Sequence, residues 1–291
     1  MRRAQRKNLV CFVILVSLCE AFNMKIETIH IKSSSPSKGT IVLLHGVCFG
    51  AWYWENNFQP WFTQHGYDVI AVSYRNHGKS ESKGSLRWQT INEYIEDIHS
   101  VVSKIEGTVY LIGHSMGGFL VQHYLLKHPS FKVKKAVLLC SVPASGIGGA
   151  TWQVMKTYPF SFLKALVTMS FVPVFNTYAK AKQLMFANHF PDAELQPIVA
   201  RMQDESFRAY LDMMLLNLPS TKPTGVPLLM IGGADDFLVH PSALKKNACE
   251  LNAELVLMKG AHCINMEEGW EKVAERIEVF FKTPTAEKEV S

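Results

Sequence analysis

A serine flanked by glycines stands in the stretch LIGHSMGGF, Leu111 to Phe119, directly after an apolar run and directly before an amphipathic one. Gly-x-Ser-x-Gly between a strand and a helix makes a turn so tight that only glycine is tolerated at the flanking positions, and it lifts the Ser115 hydroxyl above the sheet at a helix N-terminus. Serine is a weak nucleophile at neutral pH, so it needs a histidine base and a carboxylate that orients the base. On this kind of turn the acid and then the histidine follow the serine in chain order. His262, in KGAHCINME, ends the last apolar run and is the candidate base. The acid falls in GGADDFLVH, where spacing from the glycines leaves Asp235 and Asp236 both open. His123, His128, His189 and His240 fall on a helix, a helix end, an inserted region and a loop, and read as structural or exposed.

Acyl transfer also needs two backbone N–H groups aimed at the developing oxyanion. One belongs to Met116, the residue after the serine; the other belongs to Val47, presented where Gly46 lets the chain bend after TIVLLHG. His45 is expected to be a structural hydrogen-bonding residue. Chemistry of this kind calls for no metal and no organic cofactor.

These residues sit at the ends of short apolar runs: TIVLLHG (40–46), DVIAVSY (68–74), TVYLIGHS (108–115), KAVLLCSV (135–142), PLLMIGGAD (227–235) and AELVLMKGAH (253–262). Most are followed by a helical pattern, as in INEYIEDIHSVVSKI (91–105) and GWEKVAERIEVFFK (269–282). That alternation predicts an α/β fold with a mostly parallel central sheet and helices on both faces. MKIETIHIK (24–32) alternates and is expected to open the sheet as an antiparallel strand. From Pro143 to Pro223 the rhythm stops, and Met, Phe, Leu and Pro recur in helix-like pieces. The organisation expected is a core of residues 22–142 and 224–282, a helical cap at 143–223 and a loose tail at 283–291.

The 291 residues are 48% hydrophobic and 19% charged, the balance of an ordinary globular chain with ample core. Of the formal charge of +5, the five charged residues among the first 21 supply +3, so the remainder carries too little positive charge to suggest nucleic-acid binding. That basic head precedes LVCFVILVSL (9–18), shorter than the about 20 apolar residues a membrane span needs. Its layout is that of a secretory signal cleaved after Ala21, with a retained signal anchor as the alternative. Export or membrane anchoring is therefore expected. Cys48, Cys140, Cys249 and Cys263 show no metal-site spacing and read as small buried hydrophobes, with one disulfide left open if the chain is exported.

Taken together, GHSMGG, LLHGV, GADDFLV and GAH resemble, in order, the elbow, oxyanion turn, acid loop and histidine loop of the α/β-hydrolase family of serine hydrolases. The resemblance runs over residues 24 to 282. It implies Ser115 as nucleophile, His262 as base and Asp236 as orienting acid, because the family's acid loop reads Asp-x-x-Val and Asp236-Phe237-Leu238-Val239 fits that register. RNHGKS (75–80) is similar to the family's Asp-x-Arg-Gly-His-Gly-x-Ser arm, with Ser73 for the Asp and Asn76 for the first Gly, and is expected to affect only a structural loop.

Two subfamilies share these motifs. HGVCFGAWYW is similar to the oxyanion segment of plant-type methylesterases and hydroxynitrile lyases, whereas GHSMGG with a long apolar insertion is similar to monoacylglycerol lipases and lysophospholipases. The lyases carry threonine where this chain has Gly46, and lysine where it has Cys263, so cyanohydrin cleavage is disfavoured. The function implied is hydrolysis of a carboxylic ester, with a monoacylglycerol, lysophospholipid or similar lipid ester favoured. Alternatives are a small-ester methylesterase, peroxidase-type or C–C bond chemistry on the same triad, and a non-catalytic ligand receptor. Trp52 and Trp54 are candidates to line the acyl side. Residues 151–175, with Met155 and Met169, are candidates for a hydrophobic acyl tunnel or for contact with a lipid surface, which the N-terminus could also make.

Overall fold

A computed structural model describes residues 24–129 and 132–284. The expected signal segment, 1–21, and the tail from 285 onward lie outside the described residues. Seven strands form one sheet: β1 (Thr28–Ile31), β2 (Thr40–Leu44), β3 (Asp68–Val72), β4 (Val109–His114), β5 (Val133–Leu139), β6 (Leu228–Gly233) and β7 (Glu254–Met258), in the order β1-β3-β2-β4-β5-β6-β7. β1 pairs antiparallel with β3 and every other pairing is parallel. β2 and β4 are buried at every residue, which is why their sequences run apolar without alternating: helices cover both faces of a parallel sheet. The two faces still divide the side chains by parity. Ile41 and Leu43 join one core cluster, while Val42 and Leu44 join the other.

Helices α1 (Phe58–Gln64) and α11 (Trp270–Lys282) pack on the first face through Phe58, Phe62, Val273, Ile277 and Phe281. Helices α2 (Ile91–Val102), α3 (Met116–Lys127) and α10 (Pro241–Leu251) cover the other through Tyr94, Ile98, Leu120, Tyr124 and Leu244. Thr90 begins α2 with a reciprocal cap: its side chain accepts from the Glu93 amide, and Glu93 accepts from the Thr90 amide.

Between β5 and β6 the described residues contain no strand. Helices α4 (Gly148–Thr157), α5 (Pro159–Thr168), α6 (Val172–Phe175), α7 (Tyr178–Met185), α8 (Asp192–Arg201) and α9 (Phe207–Leu211) follow one another, and a π-helical turn at Asp212–Leu216 closes the series. α5 starts at Pro159, whose missing N–H costs nothing in a first turn, and ends where Met169 turns left-handed. It buries Phe162 and Ala165 and exposes Phe160, Leu163 and Val167.

Cys48, Cys140, Cys249 and Cys263 are all free thiols, and three are buried. Cys249 departs from the expectation: α10 turns Leu244, Asn247, Ala248 and Leu251 inward, which leaves Cys249 on the exposed side. No helix among the described residues is long and apolar enough to cross a membrane.

Candidate active site

The parallel strands β2, β4, β5 and β6 end on one rim, where open α/β sheets place their sites. Ser115 follows β4 and opens α3 at φ 53° and ψ −115°, a left-handed conformation unfavourable for a serine. Such strain persists only where its surroundings enforce it. Here a Cβ on Gly113 would lie 2.3 Å from the Gly117 carbonyl oxygen, so the strand and helix meet too closely for any side chain. Ser115 N–H donates to the Leu139 carbonyl of β5 at 2.9 Å and fixes the turn against the sheet.

His262 lies on the loop after β7, and its Nε2 is 3.0 Å from Ser115 Oγ. Its Nδ1 is 2.9 Å from Asp236 Oδ2. A carboxylate only accepts, so Nδ1 carries the ring proton and Nε2 presents its lone pair to the serine hydroxyl. Asp236 is held in turn: its Oδ1 accepts from the backbone amides of Leu238 and Val239, at 2.9 and 2.8 Å. Asp235, one residue earlier, is exposed. Ser115, His262 and Asp236 are all buried. Behind His262, His114 Nε2–H donates to the His262 carbonyl at 2.9 Å, and burial drives the His114 pKa far below the ordinary range.

The turn after β2 comes up against the serine. A Cβ on Gly46 would sit 3.0 Å from Ser115 Cβ and 2.9 Å from His114 Nδ1, so the close approach requires glycine. Val47 follows it and lines the same cavity as Ser115, while Met116 is the first residue of α3. His45 acts within the turn: Nδ1–H donates to the Gly46 carbonyl at 2.8 Å and Nε2 accepts from the Tyr74 amide at 3.4 Å. Burial, reinforced by the neighbouring His77 charge, lowers its pKa to about 3, so it stays neutral.

Above Ser115 opens a cavity of about 680 Å³, its solvent-open mouth included. The inserted helices supply much of its wall, including Val154, Phe162, Phe171 and Val174. Met155 and Met169 are not in that wall; Met213, from the π-helical turn, is. Nor are Trp52 and Trp54. Trp54 is fully buried in the core, and Trp52 packs edge-on against Phe49 with the Arg201 guanidinium over its ring. Both belong to a short 3₁₀ turn, Ala51–Trp54, that faces the sheet.

Reasoning from sequence did not reach Glu205 or Glu267. Glu205 lines the cavity, and its carboxylate accepts from the Cys48 amide. Glu267 accepts from the amide of Ala261, next to His262. The RNHGKS arm reaches further than a structural loop, since its His77 bonds to Glu205 at 3.1 Å. Ser73, where the arm's usual acid is missing, accepts from the Ala51 amide and donates to Glu27. Among the described residues, the one group of possible metal ligands is Cys140, Asp236 and His262. Two of its members are already bonded to each other, and burial pushes the Cys140 thiol up, which leaves it protonated.

The geometry can therefore move a proton from a serine hydroxyl to a buried imidazole backed by a carboxylate, at the floor of an apolar cavity. Comparisons with known proteins give the family and the fold. A non-heme chloroperoxidase of Streptomyces lividans is 34% identical over 105 residues, 35% of this chain and 37% of that protein. Methylesterase 1 of Arabidopsis thaliana is 30% identical over 109 residues, 37% of this chain and 41% of that protein. The chain thus matches these curated relatives over about two-fifths of their length or less. An esterase from Exiguobacterium antarcticum superposes with a TM-score of 0.70 at 20% identity, covering 89% of this chain and 96% of that one, which shows the shared fold. The sequence profile described as the alpha/beta hydrolase family matches residues 41–276, most of the length, and the chain belongs to that family.

Proposed function

We propose that the protein is a serine hydrolase of carboxylic esters, with a long-chain lipid ester such as a monoacylglycerol or lysophospholipid as substrate. One observation carries this reading: the unbroken Ser115–His262–Asp236 hydrogen-bond chain opens into a cavity lined almost wholly by apolar side chains. His262 takes the Ser115 proton as Oγ attacks the ester carbonyl, and the N–H groups of Val47 and Met116 receive the oxyanion. His262 then returns the proton to the departing alcohol, leaving an acyl-enzyme. Water, deprotonated by the same imidazole, releases the acid. Every step is proton transfer and acyl transfer, so the activity needs no cofactor.

The apolar wall favours a hydrocarbon acyl chain, each CH₂ contributing about 0.8 kcal/mol on burial. Contact with a lipid surface fits the outer side of the cap, where Phe160, Leu163 and Val167 are exposed. Residues 143–191 also carry Lys156, Lys164, Lys180 and Lys182 and no acidic residue, which suits an anionic bilayer. The test is kcat/KM over glyceryl and p-nitrophenyl esters from short to long acyl chains, with Ser115→Ala as control. A rise with chain length supports the lipid-ester reading, a preference for methyl esters of small acids would replace it with the methylesterase reading, and no turnover of any ester would refute it. The chloroperoxidase relative makes a parallel assay for peroxide-dependent halogenation worthwhile.

A further inference from the structure

Among the described residues, Glu205 is the only acidic one in the cavity wall, and only 2% of it is exposed. A buried carboxylate beside a site that generates an oxyanion should repel the charge being formed, unless something offsets it. Four donors satisfy it. Oε2 accepts from His77 Nε2 at 3.1 Å and from the Cys48 amide at 3.2 Å, while Oε1 accepts from Tyr94 Oη at 3.0 Å and the Ser206 amide at 2.8 Å. The other nitrogen of His77, Nδ1, lies 3.1 Å from the Arg75 carbonyl. Both ring nitrogens therefore face groups that only accept, which requires a proton on each: His77 is an imidazolium.

Cys48 directly follows Val47 and sits in the left-handed region at φ 66°. It is gripped from both sides by one short segment, because its carbonyl accepts from the Gln203 amide at 3.0 Å and its amide donates to Glu205. On the other side of Val47, Tyr74 Oη donates to the His45 carbonyl at 3.0 Å. The Gln203 side chain extends the tie to the arm loop, accepting from the Gly78 amide and donating to the Asn76 carbonyl. Residues 203–205 join α8 to α9 within the cap, so cap, arm loop and oxyanion turn share one junction.

We propose that the Glu205–His77 pair is a positioning device for the oxyanion turn: Glu205 holds Val47 in line with Ser115 through Cys48, and the His77 charge cancels the carboxylate's field where substrate charge develops. This inference rests on Ser115 as nucleophile and Val47 as oxyanion donor. It makes the cap segment between α8 and α9 part of the rate of acyl transfer as well as a wall of the cavity.

The titration behaviour agrees with the geometry. Burial by itself would lower His77, but the Glu205 charge and hydrogen bond, the Arg75 carbonyl and the Asp97 charge outweigh it and hold the pKa above 6.5. Burial would raise Glu205, but His77, the Ser206 amide and His45 outweigh it and hold the carboxylate below its usual range. The other groups around the pair are Tyr74 and Cys48, both kept protonated by burial; Tyr94, likewise protonated; and Arg75, engaged with Asp97 and Glu93. As pH rises through the elevated His77 pKa, the pair goes from neutral to a net negative charge, and kcat should fall.

The experiment is steady-state kinetics on one p-nitrophenyl ester from mildly acidic to alkaline pH, for wild type, His77→Gln and Glu205→Gln, with Tm measured in parallel. Glutamine at position 77 can still donate to Glu205 but cannot ionise. For both variants kcat should fall by about 10-fold or more with KM within about threefold, less than the 10²–10³ lost when an oxyanion donor is removed outright. The His77→Gln profile should also lose the alkaline limb of the wild type. Variants that keep wild-type kcat and the wild-type alkaline limb, even with a lowered Tm, would overturn the inference by showing a purely structural pair. If Glu205→Gln does not fold, His77→Gln and the wild-type limb decide the matter. Failure of the parent reading looks different: wild type would turn over no ester, and Ser115 would take no fluorophosphonate.

Discussion

The Ala187 amide, just beyond α7, donates to Glu267 Oε1 at 2.8 Å, while Glu267 Oε2 accepts from the amide of Ala261, the residue before His262, at 2.9 Å. One buried carboxylate thereby ties the inserted helices to the loop that carries the candidate base. Removing it strands two amides, each costing about 1–3 kcal/mol if left unsatisfied. Glu267→Ala should therefore lower stability by about 2–4 kcal/mol in urea unfolding, and kcat by about 10-fold through a loosened His262. Unchanged unfolding and kcat would show that the tie is dispensable.

A fluorophosphonate should label Ser115 alone among the serines, and Ser115→Ala should abolish both label and turnover. His262→Ala should cost a comparable factor, and the double variant little more than either single one, because such groups act as a unit. Mass spectrometry of the labelled peptide, with residual rates of the three variants, checks this. Label on another serine with activity retained in Ser115→Ala would end the mechanism.

Asp236→Asn and Asp235→Asn separate adjacent carboxylates of opposite exposure. Asparagine at 236 would keep its oxygen toward the Leu238 and Val239 amides and turn its NH₂ toward His262 Nδ1, forcing the ring proton onto Nε2, where no base remains for Ser115. In a serine protease triad the corresponding change cost about 10⁴ in kcat, and a loss of that order is expected here. Asp235→Asn should stay within about twofold. The reverse pattern would assign the orienting role to the exposed residue.

Val154 and Val174 lie in the cavity wall, so Val154→Trp or Val174→Trp should shorten the acyl chain that fits. Each excluded carbon should cost about fourfold in kcat/KM, the equivalent of about 0.8 kcal/mol per CH₂, while short esters are hydrolysed nearly as before. An unaltered chain-length profile would move the acyl site out of this cavity.

In a host that processes secretory signals, the mature chain should begin near Phe22. N-terminal sequencing decides it. Intact Met1 on soluble protein would refute export, and intact Met1 in the membrane fraction would favour the anchor.

Much of the fold was legible because the signals are local. The apolar runs at 40–46, 108–115 and 227–235 become β2, β4 and β6, since a strand covered on both faces leaves a continuous apolar record in its own residues. The alternation in MKIETIHIK likewise marks the antiparallel edge strand β1. The elbow was readable for a similar reason: strand, Gly-x-Ser-x-Gly and helix are contiguous, and the close approach at Gly113 involves residues only four apart.

What depended on distant neighbours was not. The apolar composition of AWYW did not tell core from cavity, and tertiary packing turned Trp54 inward and put Arg201 over Trp52. Glu205 stands in an unremarkable polar stretch, QDES, 128 residues from His77 and 157 from Cys48, so nothing near it in the chain reveals that it is buried or what it holds. Its only trace was the histidine of RNHGKS. By itself the sequence determined which groups could do chemistry and where along the chain the strands that carry them lie, because periodicity and turn geometry are written over a few residues. Which carboxylates are buried, and which backbone they grip, the tertiary structure alone decided, because desolvation and long-range hydrogen bonds exist only once distant segments meet.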